Sequence, residues 1–179
     1  MDAIETPRLL LRRWREEDVA PFAAINSDPQ VMRWIGDGTV RDLDQTRAQV
    51  AAIERGWEER GFGLFALELR ESGELVGFTG LAVPRFLPEV LPAVEIGWRL
   101  GRPFWGRGLA GEAARATLRS AFLEHRLERV VGIARTENTA SIRVMRRLGM
   151  RRERTTVLPG THHPVVVYEI TRDAYGAQG

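Results

Sequence analysis

The chain has 179 residues, 44% of them apolar and 28% charged, and this size and balance favour a single globular domain. It contains no cysteine, which excludes disulfide bridges, a thiolate nucleophile and a zinc site built on sulfur, and all 26 basic residues are arginine, which excludes a lysine Schiff base. The formal net charge of only +2 argues against a dedicated nucleic-acid-binding protein.

The first third of the chain predicts a strand followed by helices. Residues 6–14 are expected to form the strand. The acidic triplet that follows suits the positive end of a helix dipole, and this helix is expected to run to about Asn26. A short helix is expected around 29–35 and a longer one over 43–57, where apolar residues recur at helical spacing until Gly61 ends it.

The middle of the chain predicts a hairpin and a further strand. The extended stretches 63–69 and 74–83 flank the Glu-Ser-Gly sequence at 71–73, which is typical of a turn. A proline-rich loop over 84–92 leads into a strand over 93–100.

The C-terminal half alternates helices and strands. A helix follows a glycine-rich loop, and then come a strand over 129–134, a helix over 138–148 closed by Gly149, and strands over 150–157 and 165–170. The first of these helices carries small and apolar residues on one side: Ala110, Ala113, Ala114, Thr117, Leu118, Ala121 and Phe122. The complete order predicts a mixed α/β domain.

Residues 106–111 match Gly-x-Gly-x-x-Gly, a pattern typical of loops that hold the pyrophosphate of a dinucleotide. A dinucleotide fold is not expected, because a segment separates the preceding strand from Gly106 and only about forty residues follow Asn138, too few for the second half of that fold. Glycines at this helix start nevertheless let free N–H groups approach a phosphate. Another phosphate-bearing ligand is one interpretation, and a plain tight turn is the other.

Glu95 is the candidate general base. Even-numbered residues of the strand 93–100 share one face, and Glu95 lies on the other with Gly97 and Arg99. A carboxylate on an interior strand needs a partner or a chemical role, so the alternatives are an ion pair with an arginine and removal of a substrate proton. Gly97 indicates a bulge or the close approach of another group.

Several motifs, taken in order, resemble the GNAT family of acetyl-CoA-dependent N-acetyltransferases. They are the opening TPRLLLRRWREEDVAPF, the strand ELVGFTGL, the glycine loop WGRGLAGEA, the block NTASIRVMRRLGM and the late THHPVVVYEITRDAY. Each motif alone is weakly specific, but the ordered set covers nearly the whole chain. Within the family the sequence looks most like the RimJ/RimL-type branch of ribosomal-protein N-terminal acetyltransferases.

The resemblance implies one domain over 1–179 with a mixed, mostly antiparallel sheet, flanking helices and a splayed central pair of strands. It implies acetyl-CoA as acyl donor, with the diphosphate on the amides of the glycine loop and the thioester beside 96–98. Asn138 would contact the pantetheine arm, and a helix cap is its alternative role. The residues expected to bind the donor are Ile96, Gly97, Trp98, Arg102, Gly106, Arg107, Gly108, Leu109, Ala110, Gly111, Asn138 and Ser141.

Two positions depart from the family pattern. Pro103 stands where the pattern has glutamine or arginine, so Arg102 is expected to take over any contact with the donor. Met145 stands where many relatives carry a tyrosine acid, and methionine cannot donate a proton. The resemblance therefore leaves Ser141 or water to protonate the leaving thiolate, and Glu95 to take the proton of the ammonium.

The expected reaction is direct attack of an amine on the thioester, without a covalent enzyme intermediate. A peptide or protein N-terminal amine is the acceptor that the branch implies; a small amine such as an antibiotic or polyamine, and a CoA-binding module without catalysis, are the alternatives. The residues expected to line the acceptor cleft are Trp34, Phe86, Glu95 and His162, with Trp57 as a further candidate; packing in the core is the alternative role of the three aromatic residues.

Metal, nucleic-acid and membrane partners are not expected. His162 and the adjacent His163 would face opposite ways in a strand, so they could not easily share a metal. The N-terminus is too polar for a signal peptide, and no apolar run has the length of a membrane span, so a cytoplasmic protein is expected. The sequence leaves open whether the protein is a monomer or a homodimer.

Overall fold

An eight-stranded sheet organises the chain in the computed structural model, which describes residues 3–177. The strands are β1 (Ala3–Glu5), β2 (Leu9–Arg12), β3 (Leu64–Leu69), β4 (Leu75–Ala82), β5 (Val94–Leu100), β6 (Arg129–Arg135), β7 (Arg151–Val157) and β8 (Pro164–Thr171). The helices are α1 (Val19–Asn26), α2 (Pro29–Met32), α3 (Leu43–Arg60), α4 (Leu109–Leu123), α5 (Thr139–Arg147) and α6 (Arg172–Gly176). None of these helices is both long and apolar enough to cross a bilayer.

The strand order across the sheet is β1-β2-β3-β4-β5-β6-β8-β7. Neighbouring strands run antiparallel except β5 and β6, which are parallel and need the helical crossover that α4 provides. The expected mixed, mostly antiparallel sheet with flanking helices is therefore confirmed.

The two parallel strands stay together only briefly. Val94 pairs with Val130 and Glu95 pairs with Val131, and within the described residues no further residue pair joins β5 to β6. Each strand nevertheless continues, because its outer edge remains paired, β5 with β4 and β6 with β8. The strands diverge beyond Glu95, which confirms the splayed central pair that the family resemblance implied.

Pairing across the sheet assigns the β5 side chains to two faces. Phe78 of β4 pairs with Arg99 and packs edge-on against Phe22 of α1, with ring centroids 5.9 Å apart. Odd-numbered residues of β5 therefore lie on the side covered by α1, which we call the α1 face. Ile96, on the opposite side, shares a buried cluster with Leu118 of α4, and we call this side the α4 face.

The structure corrects the sequence prediction at both ends of the chain. The strand expected over 6–14 starts too early, because Thr6 N donates to Leu9 O at 2.9 Å and turns the chain into a hairpin of β1 and β2. Pro7 lies in this turn and has no N–H for a ladder. Helix α6 was not predicted; it is a short helix capped by Thr171, whose Oγ1 accepts a hydrogen bond from Ala174 N at 3.3 Å. The other expected elements are present within a few residues of their expected bounds.

A buried ion pair fixes the start of α1 on the sheet. Arg12 of β2 donates from Nη1 and Nη2 to the two carboxylate oxygens of Asp18, at 2.7 and 2.9 Å, and from Nε to Glu68 of β3 at 2.7 Å. The hydrogen bond with Asp18 raises the pKa of Arg12, although desolvation opposes the rise. Because both side chains are almost fully buried, the pair depends on both partners.

We expect Asp18→Asn to lower the free energy of unfolding by about 2 kcal/mol, because Arg12 would lose its buried two-pronged partner and keep only the single contact with Glu68. Urea denaturation at pH 7 measures the change. Glu5→Gln is the control, since it breaks a pair with Arg70 that lies at 3.3 Å and is largely exposed, and its stability should stay near that of the parent chain. If both variants lose the same free energy of unfolding, the buried pair of Arg12 and Asp18 stabilises the protein no more than an exposed pair does.

Candidate active site

The glycine turn ahead of α4 presents a row of open main-chain donors. Gly106 and Gly108 have φ angles of +72° and +76°, a left-handed conformation that favours glycine. The helical ladder begins where Glu112 N donates to Gly108 O at 3.1 Å. The N–H groups of residues 106–111 donate to no protein acceptor in the described part of the chain. They are available to a ligand at the positive end of the helix dipole.

The turn is held in place from two sides. Trp105 Nε1 donates to Leu100 O at 2.8 Å, which fastens the turn to the end of β5. Arg8 Nη1 donates to Arg107 O at 2.7 Å, and Arg8 Nε donates to Glu112 Oε2 at 2.7 Å. These contacts fix the carbonyl side of the turn and leave its N–H side open.

Every second residue of β5 directs its main-chain N–H and C=O groups toward the gap between the diverging strands. Gly101 N donates to Val76 O at 3.0 Å, and this bond sets the alternation along the antiparallel pair of β4 and β5. The N–H and C=O groups of Ile96, Trp98 and Leu100 therefore point away from β4. Trp98 lies beyond the last couple that β5 forms with β6, so its main-chain groups face the open gap.

Glu95 lies on the α1 face at the point where the strands part. Its side chain makes no ion pair or hydrogen bond with any described residue, so the arginine partner considered from the sequence is not found. Burial raises its pKa from 4.5 to about 8, although part of the side chain remains exposed. A Cβ built on Gly97, the next residue on this face, would meet no atom within 4 Å. Glu95 is thus an unpaired carboxyl group beside open space.

Asn138 and Ser141 form the start of α5, directly after β6. Asn138 Oδ1 accepts a hydrogen bond from Ser141 N at 3.2 Å, so Asn138 caps this helix. Ser141 is half-buried and lies one turn before Met145 on the same side of α5. Met145 packs against β6, since a Cβ on Gly132 would lie 2.6 Å from its sulfur. Ser141 is therefore on the side of α5 that faces β6.

Arg102 is engaged by an acidic partner. Its Nε lies 3.0 Å from Asp28 Oδ2, and the Arg102 side chain is 61% exposed. Asp28 also caps α2 by accepting a hydrogen bond from Gln30 N at 2.9 Å. The contact of Arg102 with the donor stays a prediction that would require this pair to open or to be shared.

Of the residues predicted to line the acceptor cleft, Glu95 lies on β5 and the others except Trp57 lie on three separate loops. Trp57 is buried on α3 against Phe65, so its place in the cleft was wrongly predicted and core packing is its role. Trp34 is half-buried, and the guanidinium carbon of Arg33 lies 4.2 Å from its ring centroid. Phe86 is 52% exposed in the loop between β4 and β5. His162 is exposed at the tip of the β7–β8 hairpin.

These loops meet around the diverging ends of the strands. Arg135, at the end of β6, donates from Nη2 to Gly36 O at 2.7 Å and so holds the loop that follows α2. The next residue donates its N–H to Pro164 O at 3.1 Å, which brings the β7–β8 hairpin to the same end. Leu87 of the β4–β5 loop is buried in one cluster with Val131. The three loops therefore border the α1 face near Glu95, although within residues 3–177 no hydrogen bond or ring contact joins Trp34, Phe86 and His162 to one another.

A cavity of about 570 Å³ lies on another side of α4, between this helix and the N-terminal hairpin. Charged residues such as Arg8, Arg119 and Glu124 line it, and Gly108 borders it. Neither Glu95 nor Ser141 belongs to its lining. The gap between β5 and β6 is therefore a separate feature.

Sequence reasoning missed the residues that support the site. Arg8 and Glu112 anchor the glycine turn, and Glu112 could have been noticed because it stands inside the loop motif. Arg99 and Arg135 are buried on the strands that diverge. The signal that drew attention to Glu95, a charge on an interior strand, applies equally to Arg99.

Known proteins match this chain in sequence and in fold. A family model described as an acetyltransferase (GNAT) domain matches residues 8–151. The chain is 34% identical to the uncharacterized protein YkkB of Bacillus subtilis over 165 residues, covering 92% of each chain. It is 33% identical to the uncharacterized N-acetyltransferase YnaD of the same organism over 150 residues, covering 84% of this chain and 83% of YnaD. A solved GNAT-family acetyltransferase from Bacillus anthracis matches with a TM-score of 0.81 at 30% identity, covering 96% of this chain and 99% of that one.

The raised pKa of Glu95 predicts a stability that depends on pH. The unfolded chain loses this proton near pH 4.5, but the folded chain keeps it to about pH 8, so stability falls as the pH rises between these values. Glu95→Gln removes this loss and should be more stable than the parent chain above pH 8, by about 2 kcal/mol given the partial exposure of the group.

Urea denaturation of both chains at intervals from pH 4 to pH 9 measures the difference. Glu71→Gln, in the exposed β3–β4 turn, is the control and should show no such divergence. A difference that stays constant across the range would contradict the raised pKa.

Proposed function

The chain belongs to the GNAT acetyltransferase family, and from this premise we propose that it transfers an acetyl group from acetyl-CoA to the N-terminal amine of a peptide or protein. Acetyl-CoA supplies an activated acyl group on a thiolate leaving group, and the amine attacks it directly. The observation that carries the proposal is the row of open N–H groups at 106–111, beside the gap between β5 and β6.

The glycine turn fits a diphosphate in both charge and space. Six consecutive N–H groups and the dipole of α4 favour an anion at this position. A Cβ on Gly106 would meet nothing within 4 Å, and a Cβ on Gly111 would meet only Arg115 Nη2 at 4.0 Å. The main chain is therefore approachable from outside, and Arg115 adds a positive charge next to it.

The thioester would lie in the gap between β5 and β6, and the open main-chain groups there support this position. The N–H of Trp98 points into the gap beyond the last couple of β5 and β6. A donor fixed in this way stabilises the negative charge that develops on the thioester oxygen during attack, at no cost of reorganisation. The acyl group would lie beside Ile96 and Gly97, which are on opposite faces of β5.

Glu95 would accept the proton of the ammonium group, directly or through one water molecule. Its pKa of about 8 is close to that of an α-amino group, which is about 7.7–8.0, so the proton transfer is nearly balanced in free energy. A lysine-like amine has a pKa of about 10.4, and the same transfer would then be uphill by about 3 kcal/mol. This match favours an N-terminal amine over a polyamine as acceptor.

Ser141 would assist the departure of the thiolate. It lies on the side of α5 that faces β6, and its hydroxyl can donate a proton, whereas the thioether of Met145 cannot. A thiol with a pKa of about 8.5 leaves readily, so the contribution expected of Ser141 is small. Asn138 would donate to the pantetheine arm from its side-chain nitrogen, Nδ2, while its side-chain oxygen, Oδ1, caps α5.

Substitution at Gly111 tests the diphosphate site. Gly111 is in the first turn of α4 and has no left-handed φ, so aspartate is compatible with its backbone and suits a helix N-terminus. Gly111→Asp should keep the fold and weaken CoA binding by about tenfold or more, because the new carboxylate repels the diphosphate.

Titration calorimetry with CoA measures the affinity, and thermal unfolding checks the fold. Gly111→Asn is the matched control, since it has the same size and no charge, and it should lose clearly less affinity. Equal losses with asparagine and aspartate would place the diphosphate elsewhere.

The role of Glu95 predicts a change in both rate and pH profile. Glu95→Gln should lower kcat by about 10²–10⁴, the range that a positioned general base contributes. A weakly basic acceptor amine is neutral throughout, so Glu95 then has to take only the proton that the nitrogen releases as it bonds to the acyl carbon. With such an amine the rate of the parent chain should rise with pH toward a plateau above about pH 8, as Glu95 loses its own proton. The variant should lack this rise, and an unchanged profile would assign the proton transfer to another group.

Release of free CoA from acetyl-CoA, scored against a panel of peptides and small amines, separates the three activities considered. Turnover with peptide N-termini supports the proposal. Turnover with small amines alone would make the chain a small-molecule acetyltransferase. CoA binding without turnover of any amine would make it a binding module.

A further inference from the structure

Two arginines on the diverging strands are buried without an acidic partner. Arg99 is 7% exposed and Arg135 is 9% exposed, and neither forms an ion pair within residues 3–177. Nη1 of Arg99 donates to Asn26 Oδ1 at 2.6 Å, and Nη2 of Arg135 donates to Gly36 O at 2.7 Å. Both acceptors are neutral, and the Nε of each arginine is buried with no hydrogen-bond partner. A buried cation without a countercharge costs folding free energy, so its presence suggests that it binds a ligand.

The two arginines stand at matching positions on either side of the gap. Glu95 and Val131 are the last couple of β5 and β6, and Arg99 and Arg135 each lie four residues beyond it. Residues that pair in register share a face, and side chains alternate along each strand. Both arginines therefore lie on the α1 face, as Glu95 does.

Open space separates Glu95 from Arg99. Gly97 is the residue between them on this face, and a Cβ there would meet no atom within 4 Å. A strand rises about 3.3 Å per residue, so the α-carbons of Glu95 and Arg99 are about 13 Å apart before the side chains shorten the distance. An amine that carries a second polar group a few bonds away can extend across this space.

No acidic side chain among residues 3–177 pairs with either arginine, and besides Asn26 the guanidinium carbon of Arg99 has only the rings of Phe78 and Phe22 nearby, with centroids 5.2 and 6.0 Å away. Desolvation and the nearby Arg41 lower the pKa of Arg99 to about 9. Asp37 lies in the same loop as Gly36, but it is exposed and accepts a hydrogen bond from Thr39 N at 2.9 Å. A bound anion would supply the countercharge that the described residues do not supply.

We propose that the acceptor amine carries a carboxylate and that Arg99 and Arg135 bind this carboxylate while Glu95 takes the proton of the amine. The inference rests on the proposed acetyl transfer and narrows its acceptor. The carboxylate is either an acidic side chain close to the N-terminus of a peptide or the free C-terminus of a dipeptide. Arg99 and Arg135 are specificity residues in this arrangement.

Matched acceptor pairs test the inference in the full-length protein. One pair is a C-terminally amidated tetrapeptide with glutamate or glutamine at its second position, and the other is a dipeptide with a free or an amidated C-terminus. In at least one pair, the carboxylate member should have a kcat/KM about ten- to a hundredfold higher, the range of a charge-assisted hydrogen bond. The pair that shows the preference identifies the source of the carboxylate.

Variants then assign the preference to the two arginines. Arg99→Gln and Arg135→Gln keep a hydrogen-bonding side chain, and each should reduce the preference to within about threefold without weakening CoA binding. Arg55→Gln, at an exposed arginine of α3, is the control and should retain the preference of the parent chain. If one variant fails to fold, the other variant and the parent chain still decide the question.

The outcomes separate this inference from the proposed function. Equal kcat/KM within both acceptor pairs, or a preference that survives in both glutamine variants, would overturn the role of the arginines. Absence of turnover with every carboxylate acceptor, while calorimetry still detects CoA binding, would overturn it as well and leave the donor site standing. If the parent chain does not bind CoA at all, the proposed function itself is wrong.

Discussion

The divergence of β5 and β6 beyond Glu95 is the constraint on which the rest of the structure depends. In a continuous sheet the inner main-chain groups of both strands would pair with each other, but here they face a gap. The gap does not collapse, because β5 is paired along its outer edge with β4 and β6 with β8. Trp105 satisfies one exposed carbonyl, that of Leu100, and at the same time fixes the glycine turn. The sheet thus supplies both the opening and its rigidity.

The gap joins two faces with different chemistry. On the α4 face, the start of a helix presents N–H groups to an anion, and the adjacent helix surface carries small residues such as Ala110 and Gly111. On the α1 face, Glu95 is an unpaired carboxyl group beside buried arginines. A donor held on the first face and an acceptor held on the second would meet only where the strands part. Direct transfer between two bound substrates requires such a shared opening.

Local patterns in the sequence predicted the elements, but they could not predict the contacts between distant elements. The turn at 71–73, the helix end at Gly61 and the cap at Asn138 each depend on a few neighbouring residues, and all were found where they were expected. The splayed strands were expected only from the family resemblance, since no periodicity marks where pairing stops. The charge state of Glu95 was also left open, because the sequence does not say which side chains of distant elements reach it. With 26 arginines in the chain an ion pair was a reasonable expectation, and only the packed structure reveals that none reaches it.

The use of arginine explains how buried cations without partners persist on the α1 face. Arginine starts from a pKa of 12.5, so the lowering of Arg99 to about 9 leaves it charged at neutral pH. The same lowering applied to a lysine, which starts at about 10.4, would bring its pKa to about 7 and leave about half of it neutral. The planar guanidinium also has five donors, so Arg99 can hold Asn26 with one nitrogen and still offer others to a ligand. Arg99 is therefore still mostly charged at about pH 8, where half of Glu95 has lost its proton, whereas a lysine lowered by the same amount would be mostly neutral.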